Sequence, residues 1–151
     1  MPIFAVSLAK FAVSFAEEKG DYIGRAALKK QFDALQAITE GIGGEEDLPK
    51  RVMPLALIDR GVMRAGMDVY CNGEHVGWVS SGTMVPYYHF DEAGAIQQTT
   101  GKRSIGFAYI SSTLKKDDVV EIDVRGKRLK AAVVGIHMKQ NQPPYARPVI
   151  L

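Results

Sequence analysis

The sequence predicts a mainly β chain: a short α+β segment at the N-terminus, followed by a small antiparallel β-barrel of about six strands. Three observations carry that class. Fifteen glycines and seven prolines are scattered through 151 residues with no low-complexity tract, as in a chain with many turns between short elements. Beyond Pro49, apolar residues recur in six short runs bounded by turn residues. No repeat of about 20–50 residues is visible, which argues against solenoids and propellers and leaves a single-copy barrel.

The elements follow in order. Ala9 to Phe15 is a mixed apolar run that reads as a buried strand, and Glu17 to Asp21 reads as a turn. A helix is expected next, with Asp21 near its start. Leu28, Phe32 and Leu35 share one face at spacings of four and three over Lys29, Lys30 and Asp33, and Gly41 is the stop signal. From Gly41 to Pro49 the chain is rich in glycine and acid and has no apolar period, so a boundary is placed there: residues 1–45 form a strand-helix segment with its linker, and 46–151 form the barrel. The strands are expected at Val52 to Ile58, Met67 to Cys71, His75 to Ser81, Ile105 to Ile110, Val119 to Arg125 and Arg128 to Ile136.

Two tight turns fix expected registers. With Asn72-Gly73 as a two-residue loop, Val69 faces Val76 and Met67 faces Trp78. With Gly126-Lys127 as the loop, Val124 pairs with Leu129, Ile122 with Ala131 and Val120 with Val133, while Glu121, Asp123 and Lys130 point outward. Glycine at φ > 0 in such turns is worth about 1 kcal/mol against alanine.

Composition limits the functions to consider. A 46% hydrophobic, 24% charged chain of this length buries a real core and should be a folded soluble protein. A net charge of +2 makes no field that would draw in nucleic acid or anionic lipid. A single cysteine, Cys71, excludes an internal disulfide and fits a reducing compartment, and a cytoplasmic location is expected. The apolar opening, Met1 to Ala16, is broken by Lys10, has no preceding basic residue, and falls short of the roughly 20 residues of a membrane span; neither a signal peptide nor a membrane partner is expected.

Chemical motifs are sparse. His75, His89 and His137 have no His or Cys partner at metal-ligand spacing, and no serine stands in a Gly-x-Ser-x-Gly frame. Gly101-Lys102 resembles the end of a phosphate loop, but Arg103 stands where Ser or Thr would hold magnesium. The basic pairs Lys50-Arg51, Lys102-Arg103 and Lys115-Lys116 raise a single-strand nucleic-acid barrel. The aromatics Tyr87, Tyr88 and Phe90 lie in a different stretch and do not interleave with the cations, and solvated strand edges and turns account for these charges.

Several stretches carry a family resemblance. Lys19-Gly20-Asp21-Tyr22-Ile23-Gly24-Arg25 with Ala27-Leu28 comes first, then Asp59-Arg60-Gly61, Met63-Arg64-x-Gly66 and Val69-Tyr70. Gly77-Trp78-Val79-Ser80-Ser81-Gly82-Thr83-Met84-Val85-Pro86 is the most recognisable; Ile105-Gly106-Phe107-Ala108-Tyr109-Ile110 and Val124-Arg125-Gly126-Lys127-Arg128 follow. In this order they resemble the C-terminal portion of the glycine cleavage system T protein family, folate-dependent aminomethyltransferases, from about Ala9 to Val134.

The resemblance implies transfer of a one-carbon unit from an aminomethyl group on the lipoyl arm of the H protein to tetrahydrofolate, with release of ammonia. Tetrahydrofolate and the lipoylated H protein are the cofactor and partner it implies. It also implies that the catalytic aspartate and most folate contacts belong to an N-terminal half with no counterpart here, so no catalytic residue is assigned and the chain alone is expected to be inactive. The family's tail folds toward the folate site, which makes Tyr145 and Arg147 the candidate contacts: a guanidinium fork suits a folate carboxylate, and tyrosine offers a ring and a hydroxyl. Arg60 and Arg64 are candidates for interdomain pairing, and Ser81, Gly82 and Thr83 for a cavity wall or a tight turn. One departure is an insertion of 18 residues, Tyr87 to Ser104, positioned to reshape the rim of the site.

Three alternatives stand beside this reading. The barrel of a related folate-dependent demethylase or dehydrogenase would be told apart by the missing half. A noncatalytic interaction barrel would show itself by titration with H protein, and a nucleic-acid barrel by binding that weakens steeply with salt.

Overall fold

Six strands close on themselves in the computed structural model, which describes residues 1–91, 93 and 95–135. They are β1 (Lys50–Leu57), β2 (Asp68–Cys71), β3 (Glu74–Phe90), β4 (Ile96–Ser111), β5 (Val119–Val124) and β6 (Lys127–Val133), all paired antiparallel in the order β1-β4-β3-β2-β5-β6. Pairing of Leu55 with Val133 and Leu57 with Ala131 shuts the barrel, which removes the sheet edges that would otherwise template aggregation. The mainly β fold with a short helical N-terminal part is thus the observed one.

The core repeats the expected alternation. Leu55 and Leu57 of β1, Val69 of β2, Val79 of β3, Ala108 and Ile110 of β4, Val120 and Ile122 of β5, and Leu129, Ala131 and Val133 of β6 point inward and are buried. Met63, on the connection between β1 and β2, closes one end.

Both hairpins form at the expected places with altered registers. In β2–β3 the turn is Asn72-Gly73, both with positive φ (51° and 84°), but a bulge follows: Tyr70 pairs with His75 and Val69 with Gly77, not with Val76. The extra residue flips the phase of β3, so Val79 turns inward while Trp78, opposite Asp68, turns outward, stacks edge-on with Tyr109 at 5.2 Å and receives Lys50 Nζ over its ring. In β5–β6 the turn is Arg125-Gly126, one residue earlier than expected, because those two positions hold the paired positive φ values (57° and 83°). Val124 therefore pairs with Lys127, Ile122 with Leu129 and Val120 with Ala131. The shift is two residues, so every side chain keeps its expected face.

The N-terminal part departs further. Ala9 to Phe15 is not a strand: Ser7–Phe11 is a 3₁₀ helix, its hydrogen bonds closed locally by Ala9 N–H to Val6 O and Ala12 N–H to Ala9 O. A short apolar run has no period that separates a strand from a buried helical turn, and here a neighbouring helix supplied the partner. That helix, α1 (Arg25–Glu40), begins after Gly24 rather than near Asp21, whose carboxylate accepts the Tyr22 N–H instead. It ends at Gly41 (φ 75°), with Ile42 N–H returning to Ala37 O. Leu28, Phe32 and Leu35 do share its packed face, joined by Phe4, Ala5, Ala34, Ile38 and Leu48. Leu48 is fully buried, so the glycine- and acid-rich stretch ends in a core residue.

Candidate functional site

The connection from β1 to β2, residues 58–67, folds across one mouth of the barrel and is pinned there. Asp59 Oδ2 accepts the Lys130 N–H at 2.8 Å, and Ile58 N–H donates to Lys130 O at 2.8 Å. Met63 N–H donates to the buried Ser104 Oγ at 3.1 Å, and that hydroxyl donates on to Thr83 O at 3.2 Å. Arg64 donates from Nη1 to Gly82 O at 3.2 Å, and Gly66 N–H to Val79 O at 2.8 Å.

Two facing glycines make this possible. A methyl group on Gly82 would come within 2.5 Å of Met63 O, and one on Gly106 within 2.1 Å of Ser81 O in β3 and 2.9 Å of Met63 Sδ, so side chains there would push the connection off the strands or part β3 from β4. Three of the stretches that carry the family resemblance thus meet in space: the Asp59 to Gly66 segment lies on the Gly82 and Gly106 strands. Ser81, Gly82 and Thr83 lie within β3, just past a second bulge at Ser80, rather than in a turn. Arg64 is held by a backbone carbonyl, whereas Arg60 lines an open cleft.

Residues 87–90 and 96–104, in the stretch expected as an insertion, belong to β3 and β4. Beyond the barrel the two strands continue as a ribbon, Val85 opposite Arg103, Tyr87 opposite Gly101 and Tyr88 opposite Thr100. Ribbon and connection together enclose a cleft of about 780 Å³. Asp59, Arg60, Gly61 and Val62 form one side of it; Tyr87, Thr100, Lys102 and Arg103 form the other. Arg103 lies against the Tyr87 ring with its guanidinium 4.5 Å from the centroid, and burial pulls its pKa below the ordinary arginine value while the Tyr87 hydroxyl pulls it back up.

The sequence flagged Lys102-Arg103 as a basic pair on a strand edge. It did not bring the pair to Arg60, because nothing in the spacing shows that the insertion would form a wall. A second polar cluster lies on the outside of the barrel: His75 Nε2 is 3.1 Å from Asp68 Oδ1 and its ring packs on Tyr70, over which Arg128 also lies. His89 packs against Tyr87. His137, Tyr145 and Arg147 lie outside the described residues. Among the described residues no three His, Cys, Asp or Glu side chains gather as a metal site, and no helix is long and apolar enough to cross a membrane.

What fold and mouth define is a closed six-stranded antiparallel barrel domain, capped by a connection that glycines let down onto two bulged or tightly packed strands. No family model matches the chain. It is 36% identical over 145 residues to an aminomethyltransferase of Anoxybacillus flavithermus, covering 89% of this chain and 33% of that protein. With the aminomethyltransferase of Geobacillus kaustophilus the identity is 36% over 127 residues (83% and 28%), and with a probable aminomethyltransferase of Pyrococcus horikoshii 30% over 129 residues (85% and 24%). The crystal structure of the glycine cleavage system aminomethyltransferase T of Bartonella henselae shares the fold, with a TM-score of 0.55 at 20% identity over 90% of this chain and 31% of that one. The chain spans about a third of the length of the curated relatives it matches. It matches the C-terminal portion of the aminomethyltransferases, the T proteins of the glycine cleavage system.

Proposed function

We propose that this chain is the C-terminal part of a glycine cleavage aminomethyltransferase, which moves a one-carbon unit from the aminomethyl-lipoyl arm of the H protein to tetrahydrofolate and releases ammonia. The observation that carries the reading is the 36% identity running through 145 residues of a relative so named. The convergence of three of the resembling stretches, Asp59 to Gly66, Gly77 to Pro86 and Ile105 to Ile110, on one mouth of the barrel supports it.

In this reading residues 1–45 complete the folate-binding core and 46–151 form the capping barrel, working in the cytoplasm with a lipoylated H protein as partner. The reacting carboxylate belongs to the rest of the enzyme. The one carboxylate of the described cleft, Asp59, accepts the Lys130 N–H on Oδ2 and braces the connection. Tyr145 and Arg147 remain the proposed folate contacts from this chain, the arginine by two charge-assisted hydrogen bonds to a carboxylate.

The test joins this chain to the N-terminal two thirds of the Geobacillus kaustophilus relative. The fusion should release ammonia from aminomethylated H protein only when tetrahydrofolate is present, and this chain by itself should release none. Turnover by the chain alone, or a folded but inert fusion, would overturn the proposal. Arg147→Ala in the active fusion should weaken tetrahydrofolate binding by about tenfold, the loss of a charged hydrogen-bonding group. Unchanged binding would remove Arg147 from the site.

A further inference from the structure

The cleft between the ribbon and the β1–β2 connection has a chemistry of its own, independent of the folate reading. It is built from two segments far apart in sequence, the β1–β2 connection and the paired strands β3 and β4. Arg60 comes from the connection and Lys102 and Arg103 from β4. The one carboxylate among the lining residues, Asp59, is already engaged by the Lys130 N–H. Neither Arg60 nor Lys102 has an ion-pair partner among the described residues.

The hydroxyls of Thr100 and Tyr87 and the backbone of Gly61 and Val62 complete the lining, so hydrogen-bonding groups accompany the charges. A volume of about 780 Å³ falls within the range of small-molecule sites, roughly 300–1,000 Å³. Both walls are held in place: the connection by the bonds of Asp59, Met63 and Arg64, the ribbon by its ladder from Met84–Ser104 to Tyr88–Thr100. A pre-formed concave site with cations on facing walls suits a ligand that carries several negative charges in a row.

The structure assigns to this cleft the binding of a small oligoanion, an oligocarboxylate or oligophosphate chain gripped by Arg60 on one wall and Lys102 on the other. A planar guanidinium forks onto two oxygens of one anionic group while the ammonium, a point charge, takes the next. Arg103, braced on the Tyr87 ring, lines the ribbon side beside Lys102.

Calorimetric titration of the full chain with tricarballylate and with sodium tripolyphosphate tests this. At least one of the two should bind with one-to-one stoichiometry, and more weakly at 250 mM than at 50 mM salt. Tighter binding of tricarballylate would make the natural ligand an oligocarboxylate; tighter binding of tripolyphosphate would make it a phosphate chain. Lys102→Gln, on an exposed strand position that folding does not depend on, should weaken binding by about tenfold, and Arg60→Gln by at least as much. Lys127→Gln, in the β5–β6 hairpin and not among the lining residues, should leave affinity unchanged. The assignment fails if neither probe binds at 1 mM, or if Lys127→Gln weakens binding as much as Lys102→Gln does.

Discussion

The barrel and the helical layer outside it bury their cores by opposite means. In the barrel, side chains at every second position of six strands converge, and their backbones are satisfied by neighbouring strands. In the N-terminal layer three phenylalanines from three separate segments, Phe4, Phe15 and Phe32, meet with ring centroids 5.3–6.1 Å apart. Phe4 and Phe32 sit in separate helical pieces, and Phe15, between such pieces, has its carbonyl bonded by the Arg25 guanidinium. The first core is a lattice shared by every strand, and the second is a knot tied by a few rings. The two therefore should fail differently.

The sharpest test of that contrast is Phe4→Ala. Removing a fully buried phenylalanine costs about 3–5 kcal/mol, and the loss should be local: amides of residues 3–40 should lose exchange protection while those of β5 and β6 keep theirs. Equal loss in both regions would show one cooperative unit, coupled through Tyr109 of β4, whose ring touches the helical core from the barrel's outer face.

Gly106→Ala probes the barrel side. The added methyl meets the Ser81 carbonyl, so a destabilisation of about 1–3 kcal/mol is expected in denaturant melts, together with loosening of the Asp59 to Gly66 connection. A neutral result would mean the connection is not seated on the glycines. Gly126→Ala should cost about 1 kcal/mol, since its φ of 83° suits glycine and its surroundings are open. An equal cost at Lys127 would return the turn to the position expected from sequence.

The smallest effect is on the surface of the helical layer. Lys30 has its pKa raised above the ordinary lysine value by the hydrogen bond and charge of Asp47. A raised folded value means that any stabilisation is complete below the unfolded pKa of about 10.4 and is lost as pH climbs through the folded one. Both groups are largely solvated, so Lys30→Gln should leave Tm unchanged within error in 0.5 M salt at pH 7. A clear drop there would tie the Gly41 to Pro49 stretch to α1 more firmly than exposure implies.

Much of the barrel was legible from residues alone. Val120, Ile122, Leu129 and Ala131 read as inward positions before any register was known, and they stayed inward when the β5–β6 pairing moved by two. Trp78 was misplaced because one bulged residue, Val76, reverses the faces that follow it up to the second bulge at Ser80, and a bulge leaves no trace in apolar alternation. The candidate site was legible only in fragments: Arg60 was noted for interdomain pairing, Lys102 and Arg103 as an edge pair, and residues 87–104 as an insertion of unassigned shape.

What the sequence by itself determined is whatever repeats at short range: the strand positions that face inward, the turns at Asn72-Gly73 and near Gly126, the stop of α1 at Gly41. Each depends on a residue and its near neighbours, through φ preference or the twofold period of a strand. Only the tertiary structure decided that Ala9 to Phe15 would coil against a helix, that Met63 would lie over Gly82 and Gly106, and that the inserted ribbon would stand across from Arg60. Those outcomes turn on which distant surface is available to receive a side chain, and no local period encodes the distance between partners 40 residues apart.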